Sequence, residues 1–313
     1  MDWFGAELDG PLVAVRTVHF AASAVTAGVV IFGAAVLMPA SRTAPQVLAV
    51  APRLRLVVWL ALLVSVASGL AWFILQAAAM SGLSVGEAMS PGTLWTVLDE
   101  TQFGQVMLAR SLCVLVLAAC LCLGGGAGLR RLRLAAALGL VGAIAWTGHA
   151  GATAGTEGVV HLLADVLHLW AAAAWTGGLL ALVLLLLALR LAPDRARVRI
   201  AAVRRFSTLG LASVATLIVS GAVHCWILVG SLQLMLVTGY GRLLTAKLVL
   251  FAAMLALAAA NRVWLTPHLA TMAADRSATI LTCSAMLELL LAAAVFALVG
   301  ALGTQHPAAH FLI

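Results

Sequence analysis

Apolar residues run along this chain in long blocks, broken at fairly even intervals by short polar stretches. The blocks fall at 13–38, 54–78, 104–124, 133–150, 160–190, 206–230, 241–264 and 278–303. Each meets or approaches the ~20 apolar residues a helix needs to cross a bilayer. They are continuous, without the alternation of a membrane barrel strand. Lipid offers backbone groups no hydrogen-bond partner, so uninterrupted runs of this length read as helices. The pattern predicts an all-α polytopic membrane protein with eight transmembrane helices. The fifth block is over-long and is expected to tilt or to project past the bilayer.

Composition sharpens this picture. Of the 313 residues, 64% are hydrophobic and 9% charged, whereas soluble domains carry about a quarter charged. The remaining charges are one-sided. Connections 39–55, 125–133, 190–205 and 262–277 hold fourteen arginines against only Asp194 and Asp275. The opposite connections hold Asp2, Glu7, Asp9, Glu87, Asp99, Glu100 and Glu157, and Arg242 is their one cation, at a helix mouth. The positive-inside rule then places both termini outside. The net charge of +7 is thus a topology signal; short arginine loops without interleaved aromatics are no nucleic-acid footprint. The acidic start MDWFGAELDG lacks the basic region of a cleaved signal peptide.

Two halves of the chain carry the same marks in the same order. TQFGQVMLAR (101–110) and TGYGRLLTAK (238–247) share Thr, an aromatic, Gly and a terminal cation, Arg110 or Lys247. His19 and His168 each precede a glycine, Gly28 or Gly177, by nine residues. Ser-Gly recurs at 68–69 and 220–221, and LVGAIAWTGHA (140–150) matches LVGALGTQHPA (298–308). An even number of spans per copy gives parallel repeats, so 1–150 and 151–313 read as two four-helix units of one integrated membrane domain.

Polar groups at membrane depth are expensive and point to function. They are Arg16, His19, Arg110, His149, His161, Asp165, His168, His224, Lys247 and Glu288. By the topology above, the five histidines among them fall in the outer half of the membrane; His306 and His310 follow in the outer tail, and His268 lies in an inner loop. His161, Asp165 and His168 share one helix face, because steps of four and seven return to the same side. Converging imidazoles suit copper, zinc, nickel or iron, with Asp165 accepting an imidazole N–H behind them. The plainer reading is that single histidines bond a neighbouring helix. Arg110, Lys247, Asp165 and Glu288 read equally well as charges pairing between helices or as ion-coupling groups. Trp170 and Trp175 read as walls of the site. Cys113, Cys120, Cys122, Cys225 and Cys283 all lie in the apolar blocks. Cys120-Leu-Cys122 offers a soft-metal exit, or simply two small apolar side chains.

GHA at 148–150, DVLHLWAAAAWTGGLLAL at 165–182 and RFSTLGLASVATLIVSGAVHCWILVGSL at 205–232 resemble the CopD/PcoD copper-resistance family of bacterial inner-membrane proteins. TQFGQVMLAR, YGRLLTAKLVLFAAMLALAAANR at 240–262 and the last span around Glu288 are similar as well. The likeness is greatest across 100–303. It implies handling of copper ions across the inner (plasma) membrane, for import or tolerance, beside a periplasmic copper-binding partner of the CopC type. His168, His224, His149, His161 and His19 are the candidate ligands, with Asp165, Glu288, Lys247 and Arg110 as supporting or ion-coupling groups. The glycines at 124–126 and 128 lack the Gly-Lys-Ser/Thr of a nucleotide-binding loop, so transport is expected to be passive or ion-coupled, without enzymatic activity. Two other readings stand beside it: a haem-b membrane cytochrome or cupric reductase, with His168 and His224 as axial ligands, and a scaffold that donates copper without transporting it.

Overall fold

The computed structural model describes residues 2–3, 6–7, 9–42, 45–189, 195–269 and 274–309. Arg190, Asp194 and His310, named above, lie outside the described residues. A two-residue strand pair, Asp2–Trp3 with Ala6–Glu7, precedes a wholly helical body. Its helices are α1 (Gly10–Phe32), α2 (Ala51–Ser81), α3 (Pro91–Glu100), α4 (Gln102–Cys122) and α5 (Ala127–Gly142). Then come α6 (Gly155–Ala188), α7 (Arg195–Val229), α8 (Leu232–Val237), α9 (Gly239–Ala260) and α10 (Ala274–Leu302). Two helices continue through π-helical turns, α1 at Gly33–Leu37 and α9 at Asn261–Leu265.

The ends are set by local chemistry. The Asp9 carboxylate accepts the Leu12 N–H at 3.2 Å and starts α1. The Thr101 and Thr238 hydroxyls each accept a glycine N–H at 3.0 Å, from Gly104 and Gly241, and start α4 and α9. Each such bond satisfies a donor that the first turn of a helix leaves free. Gly82, at φ 68°, closes α2 in the left-handed region that glycine enters without penalty.

Among the described residues, seven helices are long and apolar enough to cross a membrane: α1, α2, α4, α6, α7, α9 and α10. The fourth expected span, 133–150, takes another form. It is divided among the 16 residues of α5, a 3-10 turn Ala143–Thr147 and a short helix His149–Ala152. Two side chains from neighbouring helices explain the break. Trp170 Nε1 donates to the Leu138 carbonyl at 2.9 Å, and Arg110 donates to the Leu140 carbonyl. Side chains that take carbonyls from the helical ladder are an established cause of such irregularities.

The core forms around α1 and α6. In each, 67% of the apolar stretch is buried, against 11–39% in the other five spanning helices. α2 packs on α1 and α7 on α6; α4 pairs with α5, α9 pairs with α10, and both α5 and α10 touch both central helices. At the crossing of α1 and α6 the backbones themselves meet. A Cβ on Gly28 would stand 2.6 Å from Gly177 Cα, and one on Gly177 would stand 2.8 Å from Gly28 Cα. Small residues allow this approach, and close packing is what holds helices together where lipid supplies little hydrophobic drive.

The crossing therefore tolerates no side chain. Gly28→Val or Gly177→Val is expected to destabilise by at least the ~3 kcal/mol upper end of ordinary overpacking, because the opposing atoms are backbone. Gly210→Ala in α7, where an added Cβ meets nothing within 4 Å, should be neutral. Thermal melting and monodispersity in detergent distinguish the two.

Candidate metal centre

The crossing of α1 and α6 carries His19 and His168 to corresponding heights, each nine residues from its glycine, or about 13.5 Å along the helix. Their surroundings differ. On α6, His161 and His168 lie on one face, and His224 of α7 reaches between them. Its ring centroid is 5.4 Å from that of His161 and 5.1 Å from that of His168. Asp165, on the same face of α6, points a carboxylate oxygen at His224 Nε2 from 3.6 Å. Lys247 of α9 stands within electrostatic range of Asp165, His168 and His224.

Proton accounting favours one ring nitrogen of each imidazole as the available one. A Ser or Thr hydroxyl has one proton to donate. Ser220 donates its own to the Thr216 carbonyl at 2.6 Å, so its oxygen accepts from His168 Nδ1, 2.9 Å away. Thr153 donates to the His149 carbonyl at 2.9 Å, so its oxygen accepts from His161 Nδ1, also at 2.9 Å. This arrangement favours the Nδ1–H tautomer of both imidazoles, with Nε2 as the nitrogen left to accept. His224 Nε2 is buried without a hydrogen-bond partner among the described residues. A fixed tautomer backed by a polar partner is the arrangement that presents histidine to a cation. As they stand the donors are not closed around a point: among the described residues no three His, Cys, Asp or Glu side chains surround a common metal position.

His19 is not brought into this cluster. It sits between α1, α2 and α4, 2% exposed. The Ser65 carbonyl takes its Nδ1 proton at 3.0 Å, with Ser68 Oγ at 3.1 Å. Its Nε2 then accepts from the Arg110 guanidinium at 2.6 Å. Arg110 also donates to Ser23 at 3.2 Å. Trp72 packs on His19, and the Arg16 guanidinium lies 4.9 Å from the Trp72 ring. Both His19 nitrogens are thus engaged by protein groups. Trp72 follows Ser68 by four residues, as His224 follows Ser220; Arg110 follows Gly104 by six, as Lys247 follows Gly241.

The remaining predicted residues fall around the second-half cluster. His149 packs edge-on against Tyr240, ring centroids 6.2 Å apart. Glu288 is 2% exposed. It accepts from Asn261 Nδ2 at 2.6 Å, with the Trp175 indole beside it. Because Trp175 follows His168 by seven residues, this pair lies about 10 Å further along the same face of α6. Cys120 is buried and Cys122 exposed, so the two thiols do not share a surface. Sequence reasoning assigned no role to Ser220, Ser68, Thr153 or Asn261. The recurring Ser-Gly was a usable signal for the two serines. Asn261 is the single asparagine of the chain, at the end of an apolar block.

The fold defines a multi-pass helical membrane protein whose buried polar groups gather in clusters between helices. Comparison with known proteins gives it a family. The profile described as "Copper resistance protein D-like, N-terminal domain" matches residues 7–159, and "Copper resistance protein D" matches 200–302. Copper resistance protein D of Pseudomonas syringae pv. tomato is 32% identical over 96% of this chain and 98% of its own length. The copper transport protein CutJ of Bacillus subtilis (strain 168) is 33% identical over 59% of this chain and 35% of its own. The inner membrane protein YebZ of Escherichia coli (strain K12) is 30% identical over 75% and 82%. The chain belongs to the copper resistance protein D family. No solved structure matches it.

The tautomers can be read directly. In histidine-labelled protein, long-range proton–nitrogen correlations should place the proton on Nδ1 of His161, His168 and His19. In Ser220→Ala the His168 preference should disappear while those of His161 and His19 persist.

Proposed function

We propose that this protein carries copper ions across the bacterial inner membrane, in import or in tolerance, through a histidine site that opens outward. The observation that carries the reading is the set of three imidazoles in which the His224 ring stands 5.4 Å from that of His161 and 5.1 Å from that of His168, with Nδ1 of His161 and of His168 on a hydroxyl. Membership of the copper resistance protein D family supports copper as the cargo. His149 stands at the entrance. Nitrogen donors of this kind suit copper, and carbonyl or carboxylate cages do not. The Ser220 and Thr153 hydroxyls orient the ligands; Asp165 balances the arriving charge, and Lys247 beside it is available for ion coupling. Glu288 and Asn261 form the next polar station inward, available for ion coupling. A periplasmic copper-binding protein of the CopC type is the partner that would deliver the ion.

The site belongs to a duplicated framework of eight crossings, with α5 and its 3-10 continuation as the fourth and both termini outside. Several matched contacts support this. Exchanging α1–α5 for α6–α10 maps the main helix pairs onto one another. The Gly28 and Gly177 contact is reciprocal, Gly104 and Gly241 press on the backbones of α3 and α8 alike, and Ser68 and Ser220 each meet the histidine of their half. The arginine-rich connections support the orientation.

The first experiment is the metal content and optical spectrum of the detergent-purified protein beside single variants. Wild type should hold copper after loading, at about one ion per chain. His168→Ala should lose it and His19→Ala should keep it. Ser220→Ala should weaken affinity by about 10–100-fold, the usual effect of removing a ligand's hydrogen-bond partner. A Soret band lost with His168 would identify a haem site and overturn the copper reading. Copper uptake into proteoliposomes, with His168→Ala as the blank, then separates transport from mere donation.

A further inference from the structure

A groove of about 310 Å³ opens at the arginine-rich end of the first half, far from the histidines. Its walls are apolar: Val29 and Leu37 of α1, Leu54 and Val58 of α2, and Leu121 of α4. Arg55 of α2 and Arg133 of α5 line the same groove, and no acidic side chain does. Neither guanidinium meets a hydrogen-bond or ion-pair partner among the described residues. Gly33, where the π-helical turn of α1 begins, also lines the groove, and an added Cβ there would meet nothing within 4 Å.

We propose that this groove binds an anionic phospholipid, with the phosphate on Arg55 and Arg133 and an acyl chain along the apolar walls. Unpaired guanidinium groups are forks shaped for phosphate oxygens. Basic pockets between membrane helices recognise lipid headgroups in this way. The volume lies at the lower end of the range for small-molecule clefts, roughly 300–1,000 Å³. A free phosphate would satisfy the arginines but leave the five apolar walls uncovered; a lipid answers both. The bound lipid would bridge α1, α2, α4 and α5, which meet at this end of the first half. The inference is independent of what the histidines bind.

Native mass spectrometry of the full-length protein, titrated with phosphatidylglycerol and with phosphatidylcholine of the same acyl chains, tests it. Phosphatidylglycerol should bind more tightly. Arg55→Gln with Arg133→Gln should weaken it by about thirtyfold, at ~1 kcal/mol per arginine. Arg204→Gln with Arg205→Gln, on the same face but outside the groove, should leave it unchanged. Gly33→Phe, which fills the groove and keeps both arginines, should also abolish the preference, so the inference does not hang on the charge variant folding well. Equal binding of the two lipids, or full retention in either groove variant, overturns it. So does displacement of phosphatidylglycerol by millimolar inorganic phosphate alone, which would mean a free-anion site.

Discussion

The contact between Gly28 and Gly177 is the constraint from which the rest follows. Two long apolar helices can approach to backbone distance only where neither has a side chain. With α1 and α6 in contact there, each is also packed against its own partner, α2 or α7. His19 and His168 stand at corresponding distances from the crossing, so each becomes the centre of a polar pocket inside lipid. The same crossing lets α5 and α10 touch both central helices, which closes the bundle.

The two histidine pockets share some contacts and differ in chemistry. In the first half a guanidinium binds the histidine's lone pair, and an indole covers the ring. Arg110 is planar and multidentate, so it engages His19, Ser23 and the Leu140 carbonyl together. That pocket is saturated, and its physical role is to join α1, α2, α4 and α5. In the pocket of His168 the nearby cation is a lysine, Lys247. Its single ammonium sits by Asp165 and leaves the imidazoles unbonded at Nε2. His224, four residues after Ser220, brings a nitrogen to the His168 pocket, whereas Trp72, four residues after Ser68, brings a wall to that of His19. The two histidine pockets thus differ in which cation and which ring stand beside the imidazole.

Much of this was legible in the residues. Block length set the class, because an apolar run of twenty residues has few stable solutions outside lipid. Arginine placement pointed to an orientation. The DxxH and GHA motifs pointed to the family, which the comparisons bear out. The ordered matches between halves pointed to the pairing of His19 with His168, and a helical period put His161, Asp165 and His168 on one face. The fourth block was less legible: Trp170 and Arg110 lie 32 and 30 residues from the carbonyls they take, and no local pattern announces such a contact.

The sequence by itself thus determined the class, the helical blocks and the inventory of polar groups, since these depend on local hydrophobicity and on the backbone's need to satisfy itself in lipid. It put five histidines in one candidate set. Only the tertiary structure decided that His161, His168 and His224 stand together while His19 stands apart with Arg110. The physical reason is that a histidine's role is set by which groups take its two nitrogens. Those groups, Ser65 and Arg110 for one and Ser220 for the other, come from helices distant in the chain.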